Sequence, residues 1–236
     1  MDDTATLSIG KTVAAAYFTP DTFRFLKDLK KSNDREWFAA NKSRYEDHLK
    51  DPALRVIAAF APELKKLSPH FMATPRALFR IHRDTRFSKD KTPYKTHIGL
   101  HFRHDRAKDV HAPGYYLHVE PGASFLGVGI WHPDGPALRA IREHIVEEPA
   151  AWKRATGGKA FKEMFELAGD RLKRPPRDFD PEHPLVEDLM WKDYIGVTDL
   201  PDASVTDEGL PKALGRTFKA GTPFMRFLCQ ALDVPF

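Results

Sequence analysis

Residues 115–131, with the sequence YYLHVEPGASFLGVGIW, carry the pattern that decides the fold. Apolar and other residues alternate in two runs, Tyr115–Glu120 and Ala123–Trp131, as expected where successive side chains of a strand point to opposite faces. Pro121-Gly122 separates the two runs and supplies residue types that favour a tight turn. The stretch therefore predicts an antiparallel β-hairpin.

The length of the turn decides which side chains share a face of this hairpin. A two- or four-residue loop gives the same register, with His118 opposite Phe125 and Tyr116 opposite Gly127, whereas a three-residue loop would scramble it. On that register, the face predicted to join the core carries Tyr115, Leu117, Val119, Leu126, Val128 and Ile130. The opposite face carries Tyr116, His118, Glu120, Gly127, Gly129 and Trp131. The two glycines of this second face remove side chains and would let a ligand approach the sheet.

Helical patterns flank the hairpin on both sides. Thr19-Pro20 and Asp34 predict the starts of two helices, because a side-chain oxygen can cap the free N–H groups there. One face of the second helix is predicted to carry Trp37, Phe38, Asn41 and Tyr45. After the hairpin, a later helix is predicted from the stripe of Phe161, Met164, Phe165 and Leu167.

Short extended segments complete the predicted sheet. Ala77–Ile81, His97–Arg103 and a segment near Tyr194–Val197 are predicted to be strands or strand-like. Strands bracketed by helices predict an α+β fold, in which a mostly antiparallel sheet from the middle of the chain packs against N- and C-terminal helices. We expect one domain over residues 17–236, preceded by a flexible leader at residues 1–16.

Composition narrows the class of protein. The chain has 236 residues, of which 42% are hydrophobic and 30% charged, which is typical of a globular protein and not of a disordered one. The net charge is only +4, no apolar run reaches the roughly 18 residues of a membrane span, and the first residues do not resemble a secretory signal. The single cysteine, Cys229, excludes an intramolecular disulfide and a thiolate zinc cluster, and it is predicted to be buried. We expect a cytoplasmic protein with no membrane partner.

Positive charge is concentrated in one part of the chain. Residues 76–111 contain ten lysines and arginines against four aspartates, a local charge of +6, together with five of the eleven histidines. Arginine presents a planar fork that suits phosphate or carboxylate, and lysine adds a mobile point charge. This concentration predicts a pocket for an anion.

The residues expected to bind the anion lie between Arg80 and His97. The predicted ligand-binding set consists of Arg80, Arg83, Arg86, Ser88, Lys91, Tyr94 and Lys95. Two other interpretations fit the same segment. The cations could pair with the neighbouring Asp84 and Asp90 in a solvated loop, or they could form buried ion pairs that tie the sheet to the helices.

Histidines supply the candidates for proton transfer. His97 or His118 is the predicted general acid or base, because imidazole titrates near neutral pH. A metal site would combine two or three histidines with a carboxylate, drawn from His97, His101, His118, Asp84, Asp90 and Glu120. Their spacing matches no compact metal-binding motif, so the sequence alone assigns no metal. It also contains no nucleophile elbow, dinucleotide fingerprint or P-loop, and it names no cofactor.

Several motifs resemble those of one known family. The opening motif is FRFLKDL (residues 23–29) with NDREWFAANKSRY (residues 33–45), and the central signature is RIHRDTRFSKDKTPYKTH (residues 80–97). Later blocks are PGYYLH (residues 113–118), GASFLGVGIW (residues 122–131) and LKRPPRDFD (residues 172–180). From about Phe18 to Phe236, the chain resembles the bacterial and fungal family catalogued as domain of unknown function 2461. The resemblance implies one full-length domain, but the family carries no established activity, substrate or cofactor and so assigns no catalytic residue.

Two functions from different classes follow from the sequence. The first is the binding or processing of a small anionic ligand in a basic pocket built around residues 80–97. The second is a non-catalytic interaction module that docks an acidic protein or nucleic acid through the same basic surface. Nucleic acid is the less favoured partner, because the overall charge is only +4.

Overall fold

The computed structural model describes residues 16–106 and 112–236, so the predicted leader lies outside the described residues apart from Ala16. Up to the sheet the elements are α1 (Pro20–Lys31), α2 (Arg35–Ala40), α3 (Lys42–Tyr45), a π-helical turn (Glu46–Lys50), α4 (Asp51–Leu67) and a 3₁₀ turn (Pro75–Ala77). The remaining elements are β1 (Ile98–Arg103), β2 (Gly114–Val119), β3 (Phe125–Ile130), α5 (Gly135–Glu147), α6 (Pro149–Gly157), α7 (Lys159–Met164), β4 (Glu166–Ala168), α8 (Val186–Leu189), β5 (Tyr194–Asp199), α9 (Asp202–Val205), α10 (Leu210–Ala220) and α11 (Thr222–Ala231). None of these helices is both long and apolar enough to cross a bilayer.

The five strands form one antiparallel sheet in the order β1-β2-β3-β5-β4. The hairpin has the predicted register, with His118 opposite Phe125 and Tyr116 opposite Gly127. Strand β1 adds to the other side of β2, where His101 pairs with Tyr116. The predicted α+β class is confirmed, with the sheet in the middle of the chain and helices at both ends.

One face of the sheet forms part of the hydrophobic core. The six hairpin residues predicted for this face are each at most 1% exposed. The ring of Phe60 in α4 meets Phe102 of β1 edge-on, with centroids 4.8 Å apart, and Phe218 of α10 lies 5.0 Å from Tyr115. Burial of each such side chain stabilises the fold by about 1.5–3 kcal/mol, so the helices pack on this face of the sheet. The polar face of the hairpin points away from them.

The predicted helix starts are confirmed by their caps. The Thr19 hydroxyl accepts a hydrogen bond from the Asp21 amide at 3.3 Å, and Pro20 begins α1. The Asp34 carboxylate accepts from the Trp37 amide at 2.8 Å and begins α2. Both caps satisfy N–H groups that the first helical turn leaves without a backbone acceptor.

The helix predicted to carry both Trp37 and Tyr45 is interrupted at Asn41. Helix α2 ends at Ala40 and α3 begins at Lys42, because Asn41 takes a φ of −110° and a ψ of 17°. Its side-chain amide donates to the Trp37 carbonyl at 2.9 Å. A short polar side chain that bonds to nearby backbone competes with regular helix, and here it breaks one.

Two other predicted elements are wrong. Ala77–Ile81 is not a strand: it begins in the 3₁₀ turn and meets β1 only at an isolated bridge between Leu78 and Leu100. The backbone there bonds alternately to β1 and to the segment around Pro93, so no continuous ladder forms. Leu167 is not helical either, because α7 stops at Met164 and β4 pairs with the outer edge of β5. Pairing with the edge of the sheet therefore decides the conformation of Leu167, in spite of the helical spacing of the apolar residues around it.

Candidate ligand-binding site

A cavity of about 510 Å³ lies on the sheet face that carries the hairpin glycines. Its apolar lining includes Phe79, Phe125, Trp131, Ile195 and Val197. Its polar lining consists of Lys95, His97, His101 and Tyr116. Sites for small molecules are typically concave and mostly apolar, with a few converging polar groups, and this cavity has that character.

Glycine at three positions builds the floor of this cavity. A Cβ added at Gly127 would meet only Tyr116, at 3.6 Å, so glycine leaves open space there. At Gly114 an added Cβ would lie 2.3 Å from Nε2 of His101, so the missing side chain lets that imidazole lie against β2. Gly129 has a φ of +123° and its Cβ would lie 2.1 Å from a backbone oxygen of β5, so the strand requires glycine at this point.

Lys95 supplies the positive charge of the cavity. Its Nζ donates to the Arg80 carbonyl at 2.8 Å and lies 5.3 Å from the centre of the Phe79 ring. Burial and, secondarily, the charge of Arg80 lower the pKa of the Lys95 ammonium. Because an ammonium has three N–H donors and one is satisfied by Arg80, the others can serve an anion.

A chain of hydrogen bonds runs along one strand beside the cavity. The Tyr116 hydroxyl lies 3.2 Å from Nδ1 of His118, and Nε2 of His118 lies 3.2 Å from Oε2 of Glu120. The His97 ring approaches His118 with centroids 4.3 Å apart. Oε1 of Glu120 lies 3.7 Å from Nζ of Lys30, so the chain reaches the surface at α1.

Burial fixes the protonation states of these groups. It lowers the pKa of His101 to about 4, helped by the charge of Arg103. It also lowers the pKa of His97 to about 4, helped by His118, and it lowers the pKa of His118 in spite of the nearby Glu120. Burial raises the pKa of the Tyr116 hydroxyl. At neutral pH the three imidazoles are therefore neutral, each with one donor and one lone pair.

A second concavity, which we call the basic groove, lies beside the connection over residues 83–95, which we call the basic loop. Its volume is about 720 Å³, and among its lining residues are Arg35, His82, Arg83, Lys91 and Tyr94. Arg83 donates to Asp90 at 2.5 Å, to both oxygens of Thr92, and to Ser88 at 3.5 Å. Its guanidinium is thus occupied by acceptors of the same loop.

Of the seven predicted anion-binding residues, four line one or the other of the two concavities and three line neither. Lys95 lines the cavity, while Arg83, Lys91 and Tyr94 line the basic groove. Nζ of Lys91 donates to the Thr85 carbonyl at 2.8 Å, and exposed Arg86 forms a two-pronged pair with Asp84. Ser88 contacts Arg83, and Arg80 offers its carbonyl to Lys95. The structure therefore does not gather the set around one point.

Tyr94 has a structural contact that the sequence did not indicate. The Asn33 side chain bonds to both the carbonyl and the amide of Tyr94, at 2.9 and 3.0 Å, as a neighbouring strand would. The Tyr94 ring stacks on Phe38 with centroids 4.1 Å apart. These contacts hold the basic loop against the junction of α1 and α2.

Sequence reasoning missed several residues of the cavity. Phe79 lies in the segment wrongly predicted as a strand, and no local pattern indicates that its ring would form a wall. Ile195 and Val197 alternate along β5, and their shared face could have been read from the two-residue period. Which sheet neighbour they would meet depends on a pairing between β3 and β5 that no short-range signal specifies.

Fold and site together define an α+β protein with an antiparallel sheet, one face in the core and the other bearing a glycine-floored cavity. Residues 21–227 match the family described as "Conserved hypothetical protein (DUF2461)", and the chain belongs to that family. No curated protein and no solved structure matches the chain.

Proposed function

We propose that the protein binds a small ligand with an apolar body and one acidic group in the cavity on the sheet. The observation that carries this proposal is the composition of the cavity wall. Among the described residues that line it, Lys95 is the only charged side chain, on a mostly apolar surface opened by Gly127. Lys95 would hold the acidic group, and the neutral His101 and Tyr116 would add hydrogen bonds.

The two candidates for proton transfer would have different roles in this proposal. Of the two, His97 lines the cavity, so a bound ligand would touch it. His118 contacts His97 from strand β2 and is hydrogen bonded at both ring nitrogens. In a reaction within this cavity, His97 would exchange a proton with the ligand, and His118 would hold the His97 ring in position.

Thermal stability in the presence of matched ligands tests the proposal. The panel contains medium-chain and aryl carboxylates, each beside the neutral alcohol of the same carbon skeleton. A carboxylate at 100 times its Kd should stabilise the fold by about 2.7 kcal/mol, which raises Tm by several degrees. Equal Tm shifts for an acid and its alcohol would contradict the role of Lys95. If no compound of the panel shifts Tm, the proposal is contradicted.

Two variants locate the binding event. Gly127→Val fills the floor of the cavity and should abolish the shift for acids and alcohols alike. Lys95→Met keeps the volume and should remove the preference for the acid. Gly135→Ala is the matched control, because a Cβ there meets nothing within 4 Å. Binding that survives Gly127→Val would lie elsewhere on the molecule.

A second candidate function, docking of nucleic acid through the basic loop, has one observation in its favour. Phe87 is 95% exposed beside Arg86, and an exposed aromatic ring among cations can stack on a base. Retention of single-stranded DNA or RNA on a filter at low salt, and its loss in Phe87→Ala, would support this function. Retention that is unchanged in the variant would count against it.

We propose a cytoplasmic setting for this activity. The support is the cysteine usage: the chain has one cysteine, Cys229, and it is fully buried. Burial raises the pKa of its thiol to about 12, so the thiolate needed for nucleophilic chemistry is not formed at neutral pH. Localisation of the tagged full-length chain to a cell fraction is the direct test.

A further inference from the structure

The pairing of β1 with β2 brings three metal-ligating side chains together at one end of the sheet. Ile98 pairs with Val119, so His97 and Glu120, the next residues outward, extend this pairing by one position. His118 lies two residues before Glu120 and projects from the same face. One ligand atom from each of His97, His118 and Glu120 lies within 4.8 Å of the other two.

We propose that His97, His118 and Glu120 bind a divalent first-row transition metal ion, with Zn²⁺ as the reference ion. Two imidazoles and a carboxylate suit such ions, whereas Mg²⁺ and Ca²⁺ require oxygen ligands. Bond lengths of about 2.0–2.2 Å place neighbouring ligand atoms about 3.3 Å apart around a tetrahedral ion. Nε2 of His118 and Oε2 of Glu120 are already 3.2 Å apart, and the ligand atom of His97 lies within 4.8 Å of those of its two partners.

The surroundings of the cluster prepare its ligands. With Nε2 of His118 on the metal, its Nδ1–H would donate to the Tyr116 oxygen, 3.2 Å away, and fix the tautomer. Oε1 of Glu120 lies 3.7 Å from Nζ of Lys30, and Oε2, which now faces Nε2 of His118, would turn to the ion.

A second group of similar composition provides the contrast. His70, His104 and Asp105 also lie close together. Both ring nitrogens of His104 are occupied, however: Nδ1 accepts from the Arg106 amide at 3.1 Å, and Nε2 donates to the Pro235 carbonyl at 2.8 Å. For His97, by contrast, no hydrogen bond to the ring is found among the described residues. In the second group, a metal would break a bond between His104 and a backbone group, whereas in the first group it would replace the bond between His118 and Glu120, both of which are proposed ligands.

This inference goes beyond the proposed function and does not depend on it. The metal site shares His97 with the cavity, but it requires no organic ligand. Three protein ligands leave a fourth position for water or a ligand group, as in zinc sites that take part in chemistry. An ion here would place a Lewis acid at the wall of the cavity.

Titration of the metal-free protein with Zn²⁺ alone, followed by calorimetry, tests the site. We expect one equivalent to bind, with Mg²⁺ giving no heat, and Co²⁺ giving the visible absorption of a low-coordinate ion. His97→Ala and Glu120→Gln should each weaken Zn²⁺ binding by more than about 100-fold, and Tyr116→Phe by about 10-fold, since even outer-sphere partners contribute 10–100-fold. Circular dichroism without metal checks that each variant is folded.

A matched control makes the result decisive. His70→Ala removes a histidine of the second group and should leave Zn²⁺ binding unchanged. Absence of a one-to-one complex, loss of binding in His70→Ala, or unchanged binding in both His97→Ala and Glu120→Gln would each overturn the inference. Zn²⁺ binding without any response to carboxylates would support the metal site and contradict only the proposed function.

Discussion

Arg83 of the basic groove and Lys95 of the cavity use their hydrogen-bond donors in different ways. In the groove, Arg83 is surrounded by acceptors of its own loop, Asp90, Ser88 and Thr92. In the cavity, Lys95 donates to one backbone carbonyl and forms no ion pair among the described residues. Lys91 of the groove also donates to a single carbonyl, so free donors are present in both regions, and Lys95 differs from it by standing on a mostly apolar wall. A local excess of cations therefore does not identify a binding site by itself. The acceptors around each cation decide what it can bind.

The largest expected effect concerns the floor of the cavity. Gly129→Ala should lower the free energy of unfolding by at least about 3 kcal/mol, because it combines an unfavourable positive φ with a clash against β5. Gly127→Ala, two residues away on the same strand, should change it by less than about 1 kcal/mol. Urea unfolding of the two variants measures the difference. Equal effects would mean that the cavity floor is not built by the β3–β5 pairing described above.

The second largest expected effect is a loss of stability at acidic pH, caused by a buried histidine of the cavity. The pKa of His101 is about 4 in the folded protein against 6.5 for an ordinary histidine. Between these values the unfolded chain binds a proton that the folded chain does not, so the free energy of unfolding falls as pH falls through this window. The loss from His101 is at most about 3 kcal/mol.

Comparison of wild type with His101→Gln isolates this contribution. Urea unfolding at pH values of about 7 and about 5 should show a smaller pH dependence in the variant. The measurement also bears on the two-region comparison, because the loop carboxylates Asp84 and Asp90 have pKa values of about 2 and remain ionised throughout this range. A full wild-type slope in His101→Gln would show that the burial of this ring is not its source.

The smallest effects belong to the basic loop. Arg83→Ala should cost about 1–2 kcal/mol of stability, because several hydrogen bonds within the loop are lost, and it should leave carboxylate binding in the cavity unchanged. Arg86→Ala should not measurably change Tm, since its partner Asp84 is exposed and solvent replaces the contact. Thermal melts with and without a carboxylate measure both properties. Loss of ligand binding in Arg83→Ala would move the site to the basic groove.

Much of the sheet could be predicted because its signals are local. The alternation along residues 115–131 and the turn at Pro121-Gly122 fixed the register and both faces of the hairpin. The segment 77–81 was mispredicted because its backbone partners come from two directions, and Leu167 because its partner is the distant β5. In both segments, pairing with residues distant in sequence determines the conformation, and the local spacing of apolar residues does not.

The candidate site was predictable only in part. His97, His118 and Lys95 were named from charge and residue type, and the glycine face was named from the hairpin register. The sequence could not show that Arg83 would be enclosed by Asp90 and Thr92, since that depends on the folded path of the loop. The proximity of His97 to Glu120 is likewise a product of strand pairing: the two residues are far apart in sequence, and no spacing motif describes them.

The hydrogen-bond chain of Tyr116, His118 and Glu120 has a direction, and that direction can be reversed. A neutral imidazole accepts at one nitrogen only while it donates at the other. With Glu120 ionised and accepting from His118, the Tyr116 hydroxyl points its hydrogen at the ring. Anything that takes the Nε2 lone pair of His118 moves the ring proton to Nδ1 and turns the tyrosine hydrogen towards the cavity. One tautomer change thus converts an acceptor in the cavity wall into a donor, with no movement of the backbone.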